Sequence, residues 1–387
     1  MIVGGPGRFF SADGYDKLKR FGFHIYGFID GYSRFVTQTY CGVDNKTALA
    51  PLVMYLRMIR RLGRIPRLIR ADKGVETALI AWAHYTLRKA IRDAQYTERV
   101  AEAQKLVVEP PEPLAPLRFE EVFFWGPSTR NVRIERWWRS LADSSLREYL
   151  YFFESLANDG WYSEVTPDRI AMRYVYMEML RVRIAGFVSV HNSHRIRKQP
   201  TRQHYLPTGK PRQLYEYASV PDLHEPLHYP TLAWLEGLVQ GFDIDRYLPK
   251  DIEELCARIC LEFGYSAEYM QRMTLGKDPC TRVDLYPHKR IYLYLRERLR
   301  KIHGQVKGFL AEQPTPRDGM KLIEERIKAT IPPEVEGVMH ASLTGAEVLF
   351  PLQPIENGDN NDEEIDKGDT GNNDEWDDDG LMWEWLE

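Results

Sequence analysis

The chain has 387 residues, 43% hydrophobic and 12% aromatic, which is enough for a sizeable core and more than a single domain usually holds. No apolar run approaches the ~18 residues of a membrane helix, and MIVGGPGRFF lacks a signal-peptide block, so a soluble, intracellular protein is expected. The net charge of −4 hides an asymmetry: Glu356–Glu387 carries 14 acidic residues and one lysine, leaving 51 Lys and Arg against 42 Asp and Glu before it.

A basic body with an acidic tail suits a nucleic-acid-binding protein as well as an ordinary enzyme with a solubilising tail. Four cysteines (Cys41, Cys256, Cys260, Cys280) do not make a disulfide framework in a chain of this length, so buried free thiols are the expectation.

Three strands are predicted over residues 8–40: RFFSAD, FGFHIYGFID and SRFVTQTYCG, with a tight turn at Gly31-Tyr32. Apolar residues Leu49, Leu52, Val53, Leu56 and Ile59 recur at helical spacing, giving a helix over about 46–62. Pro66 introduces a fourth strand, RLIRAD, and a second helix follows over about 76–93. The charged, then proline-rich stretch 94–118 reads as an insertion or loop.

A fifth strand, EEVFFWG, leads into a helix carrying NVRIERWW. This order is mixed α/β with an antiparallel front end. Helical spacing dominates 146–191, and further helices are expected near 231–240, 250–263, 287–304 and 318–329. Beyond 355 the composition predicts disorder.

Two short apolar-aromatic runs each end on an aspartate followed at once, or one residue later, by glycine: SADGYDKL (11–18) and IRADKGVET (69–77). Asp13 and Asp72 therefore fall at strand ends, where a carboxylate can face a cleft, and Glu135 falls on the helix after the fifth strand. Three acids from distant elements are the minimum cage for two divalent cations ~3.5–4 Å apart, the arrangement that serves phosphoryl transfer. Singly, each has a plainer reading. An aspartate before glycine is commonly a turn residue, and Glu135 with Arg139 at i+4 is an ordinary helix-surface pair.

Together, DGYDKL, IDGYSRF (29–35), IRADKGVET and STRNVRIERWW resemble the integrase core domain of retroviruses, retrotransposons and DDE transposases. They are more similar still to eukaryotic genome-encoded integrase-core proteins with a DGYDKL opening. The segment SVHNSHRIRKQPTRQHYLPTGKPRQLYEY (189–217) resembles that family's basic closing segment, so the resemblance spans about residues 8–217. It implies an RNase H-like fold, two Mg²⁺ or Mn²⁺ ions, and Asp13, Asp72 and Glu135 as catalytic and metal-holding acids. It also implies a DNA partner, self-association into a homo-oligomer, a nuclear location, and a structural role for Asp30. No membrane or small-molecule cofactor is implied. The long interval between the second and third acids departs from the family. So does the start of the chain almost at the first catalytic strand, which reads as a truncated gene model or a decayed element.

Arg130, Arg133, Arg136 and Arg139 surround Glu135, and Arg195, Arg197 and Lys198 lie in the closing segment. Contacts from such residues to phosphates give salt-dependent affinity without sequence information, making them candidate DNA-binding residues; a solvated basic face is the plainer alternative. Trp137 and Trp138 could stack on a splayed base, although helical spacing favours burial of at least one. The pattern His224-x₃-His228 with Cys256-x₃-Cys260 is compatible with zinc, but buried thiols and surface histidines are the expectation. His191 and His194 are likewise expected to be structural or phosphate-facing.

The reading that results is an RNase H-like integrase catalytic core over 1–217, a helical extension over 218–340 and an acidic tail over 341–387. Its expected activity is metal-dependent DNA strand transfer. A catalytically idle DNA- or chromatin-binding protein is the alternative, and an RNase H-type nuclease shares the same metal chemistry.

Overall fold

A five-stranded sheet organises the chain, and alternation of side chains along its strands decides which residues face which core. In the computed structural model β1 (Phe9–Tyr15) pairs antiparallel with β2 (His24–Asp30), which pairs antiparallel with β3 (Val36–Gly42). After α1 (Leu49–Leu62) and a two-residue β4 (Arg64–Ile65), β5 (Leu68–Asp72) returns parallel to β1, and β6 (Phe123–Gly126) lies parallel to β5. The sheet order is β3-β2-β1-β5-β6 with β2 alone reversed, an RNase H-like α/β architecture. Residues 4–43, 47–126, 131–197, 207–275, 287–306, 308–315, 317–333 and 335–337 are described.

On one face Phe10, Ala12, Tyr26, Phe28, Ile69 and Ala71 pack under α1 and α2 (Ala78–Leu106). Ten of α1's 14 residues are buried, as a helix clamped between a sheet and a second helix requires. The other face packs Ile25, Ile29 and Val36 beneath α3 (Val132–Leu141), α4 (Arg147–Asn158) and the long α5 (Thr166–Ser193). Between α3 and α4 the chain makes one wide π turn over Ala142–Leu146.

The second helix outruns its predicted end by more than three turns, so residues 94–106 are helix, not loop. Ala, Glu, Gln and Arg are strong helix formers on an exposed surface, and their charge alone does not mark a loop. The helix stops at Val107, whose φ of 54° is left-handed.

After α6 (Pro211–Glu216), β7 (Glu225–Pro226) pairs with β4. Then α7 (Tyr229–Leu238) packs on α1 and α2, while α8 (Lys250–Glu262) and α10 (Pro287–Gln305) pack on α5. α9 (Ala267–Thr274) lies between the last two in sequence and also touches α5, and α11 (Arg317–Lys328) reaches α7. α6 and α9 were not foreseen, each being too short for a periodic pattern to stand out.

The arginines that crowd residues 57–67 have partners far along the chain. Arg57 pairs with Asp243 and Asp245, Arg60 with Glu236, Arg64 with Asp222 and Arg67 with Glu225. Individually such surface pairs contribute little, about 0.2–1 kcal/mol, but together they fix where 222–245 lies. No helix among the described residues is long and apolar enough to cross a membrane. The described residues belong to one compact unit, residues 1–347; the acidic tail, 341–387, lies outside them.

Candidate active site

The register of β1 and β5 brings the first two acids together. Ala12 pairs with Ala71, so the next residues, Asp13 and Asp72, point to the same side, opposite the α1–α2 core. Adjacent strands lie ~4.8 Å apart, which makes these carboxylates immediate neighbours. Small alanines behind them let the strands close up, and Gly126 follows as the cross-strand neighbour of Asp72 on β6.

The third acid arrives on α3, which crosses this face and touches β1 and β2. Asn131 immediately precedes the helix. Its side-chain N–H₂ donates to the Ala12 carbonyl at 3.2 Å and makes a long 3.5 Å contact with Asp72 Oδ1. Glu135 follows one turn later and is half-buried. Trp138, one turn further, donates its indole N–H to Asp13 Oδ2 at 3.0 Å, while the Gly14 N–H donates to Oδ1 at 2.8 Å.

The two strand acids each feel the charge of a neighbouring acid. The Asp13 carboxyl is pushed up to about 7, most by burial, then by the Asp72 charge, with a smaller push from Glu135. The two N–H donors oppose this. Burial also raises Asp72, followed by the charge of Glu135, while the Asn131 contact and Arg70 work the other way. Carboxyls whose pKa is raised by the charge of neighbouring acids mark a concentrated negative site. Among the described residues, no group of three or more His, Cys, Asp or Glu side chains is closed up far enough to hold a metal ion. The carboxylates are neighbours whose oxygens are partly engaged by protein N–H groups.

The other predicted site residues are more dispersed. Arg136 and Arg139 are exposed on α3, flanking Glu135. Arg133 is half-buried with its guanidinium 5.1 Å from the Phe9 ring centre. Arg195 and Arg197 are exposed just beyond α5. That end of α5 is tied by Asn192, whose side chain accepts from Val36 N–H and donates to Val36 O. Val36 pairs with Ile29, so these two arginines leave the helix toward the Asp30 end of β2. Arg130 and Lys198 lie outside the described residues, as does Cys280.

Asp30 is structural. It is fully buried and accepts from the N–H groups of Gly7, Tyr32 and Ser33 and from the Ser33 hydroxyl, at 2.6–3.1 Å. Trp137 and Trp138 are both buried, which removes base stacking from their roles. His224 packs against Phe10 and Tyr215, while Cys256 and Cys260 are buried in the opposite core on α8, so the His-Cys pattern does not converge. His191 contacts the Arg34 carbonyl through Nε2 and packs on Trp137 and Phe187.

Sequence reasoning missed Asn131 and gave Trp138 a stacking role in place of its hydrogen bond to Asp13. With Glu135 they stand at i, i+4 and i+7, one face of a helix, and that spacing was readable in NVRIERWW.

A family model described as integrase core domain matches residues 1–108 and 118–222, more than half of the chain. The chain belongs to the integrase core family. The matched range of this integrase core contains all three acids and every strand of the sheet. The unmatched residues 109–117 fall in the proline-rich EPPEPLAP stretch, so the departure from the family is shorter than residues 94–118. No curated protein matches the chain.

Proposed function

We propose that this integrase core is a divalent-metal-dependent polynucleotidyl transferase that cuts and joins DNA strands, with Asp13, Asp72 and Glu135 as its catalytic acids. The observation that carries this reading is the placement of Asp13 and Asp72 side by side on parallel strands, below the helix that brings Glu135, with the Asp72 and Glu135 charges felt at Asp13 and the Glu135 charge at Asp72. Such a set is costly for the protein alone, and hard oxygen donors under mutual repulsion are what Mg²⁺ or Mn²⁺ relieves. The donor chemistry therefore fits the group that the family implies.

Bound there, magnesium or manganese would supply Lewis acidity to the attacking and leaving oxygens of a phosphodiester. Asp13 and Asp72 hold the sheet side of the site and Glu135 the helix side. Arg136 and Arg139, exposed beside Glu135, contact the phosphate backbone and give binding that weakens with salt. Arg195 and Arg197, with Arg130 and Lys198 from the sequence reading, are the further candidate DNA contacts. A DNA substrate sets the site of action in the nucleus, and self-association follows the family.

The test is cleavage and joining of labelled DNA by the purified full chain in Mg²⁺ or Mn²⁺. Asp72→Asn should abolish both reactions while leaving the folded state intact. Activity equal to the parent in that variant would remove the assignment. Salt-sensitive DNA binding with no cleavage by the parent protein would mark a catalytically idle DNA-binding protein, and cleavage confined to RNA–DNA hybrids an RNase H-type nuclease.

A further inference from the structure

Both oxygens of Asp13 already have donors, and one donor is an indole. Trp138 reaches Oδ2 at 3.0 Å from the helix that carries Glu135. Its ring lies against the strand where a side chain would normally stand. A Cβ added to Gly27, the cross-strand partner of Asp13, would come within 3.0 Å of Trp138 Cη2 and 3.3 Å of Cζ2. Tyr15, on the same side of β1, packs on the indole with ring centres 5.6 Å apart. The ring is thus fixed from two sides, and its N–H can point only along a narrow range of directions. At the other end of the same helical face, Asn131 bridges the Ala12 carbonyl and Asp72 Oδ1. Neither contact consumes a carboxylate, since each oxygen has a second lone pair.

We propose that α3 is a positioning helix for cation capture: Trp138 orients Asp13, and Asn131 orients Asp72, while Glu135 between them completes the donor set. This rests on the assignment of the three acids to metal binding under Proposed function. Outer hydrogen-bond donors of this kind fix the direction of a ligand's free lone pair, and losing one typically costs ~10–100-fold in metal affinity. Trp138 and Asn131 are positioning residues and need touch neither ion nor DNA.

The experiment is calorimetric titration of the metal-free full chain with Mn²⁺ alone, without DNA. Trp138→Phe keeps the ring and removes the N–H, and it should weaken Mn²⁺ binding ~10–100-fold. Trp137→Phe, an equally buried neighbour whose indole N–H makes no contact with the acids, should match the parent. If Trp138→Phe destabilises the fold, Gly27→Ala serves instead: it keeps every donor and acceptor but crowds the indole, and the same weakening is expected. Asp72→Asn separates the two hypotheses. If that variant still binds Mn²⁺ like the parent, the metal-binding assignment itself fails. If it loses Mn²⁺ while Trp138→Phe or Gly27→Ala binds as tightly as Trp137→Phe, the acids stand and the positioning role is overturned.

Discussion

The β1–β2 pair carries one short motif twice, aspartate followed by glycine, and uses it in opposite ways. At one end Asp30, cross-strand from Phe10, is sealed from solvent and met by four donors. In mid-strand, Asp13 lies beside Gly27, partly open, with two donors and two other acids for company. Burial raises the pKa of both. What differs is the rest of the environment: around Asp30 every named influence besides burial is a hydrogen bond that favours its charge, while around Asp13 like charges add to the penalty. The carboxylate of Asp30 holds a turn together, while that of Asp13 keeps the company of other acids, the condition that a cation would relieve under the proposed function.

That contrast predicts opposite outcomes for removing the two kinds of acid. Asp72→Asn at the open end should lower metal-dependent DNA cleavage by ~10³-fold or more, the equivalent of several kcal/mol of lost charge stabilisation, as read by gel assay of a labelled duplex. The same change relieves like-charge repulsion, so its melting temperature without metal should be equal to or above that of the parent. Asp30→Ala at the closed end should do the reverse in its first effect. Its four donors lose their acceptor, each unsatisfied buried group costing ~1–3 kcal/mol, and urea unfolding should show a loss of at least about 3 kcal/mol. A stable Asp30→Ala protein would erase the distinction between the two aspartates.

Acid should weaken the core behind the sheet. His84 is fully buried, its Nδ1 against the Tyr55 hydroxyl at 2.7 Å, and burial pushes its pKa down to about 3. An unfolded histidine titrates near ~6.5. Below that pH the unfolded chain takes up a proton that the folded chain refuses, so stability present above about 6.5 is lost as pH falls toward 3. The expected slope from this residue approaches ~1.4 kcal/mol per pH unit. His84→Gln, compared with the parent by chemical unfolding at pH 7 and pH 5, should show a smaller drop between the two.

The smallest effect separates arginines that face solvent from those already occupied. Arg136→Ala, beside Glu135, should reduce the slope of log K against log salt for DNA binding by about one. Arg60→Ala, whose guanidinium is paired with Glu236, should leave that slope unchanged and cost at most about 1 kcal/mol of stability.

The parts of this molecule that were legible in its sequence are those with a strong local signal. The strand ending on Asp72, the apolar stripe of α1 and the helix bearing Glu135 all show themselves in spacing alone, whereas β1 runs two residues past Asp13 to Tyr15, because Gly14 and Tyr15 still pair with β2. Resemblance added the grouping of three acids that local spacing cannot give, because 58 residues separate Asp13 from Asp72 and 62 separate Asp72 from Glu135. What stayed hidden depends on partners brought together by the fold. The arginine row at 57–67 gives no local hint that Asp222, Glu225, Glu236 and Asp243 fold onto it. Trp138 reads as a buried aromatic because only the tertiary structure lays its N–H against Asp13. Residues 94–106 misled for a different reason, since charge was weighed above helix propensity.

The π turn at Ala142–Leu146 has a consequence for how this protein can vary. Each residue advances a helix by about 100°, and a wide turn accommodates one extra residue within a continuous rod. Upstream, the rod must aim Glu135 at the strand acids; downstream, it must seat Phe152, Phe153 and Leu156 in the hydrophobic interior. A uniform spiral would couple those two aims, so that any length change would misdirect one of them. The loosened turn works as a phase adjuster, and deleting a single residue there should swing one half of the rod out of alignment while leaving its helical content untouched.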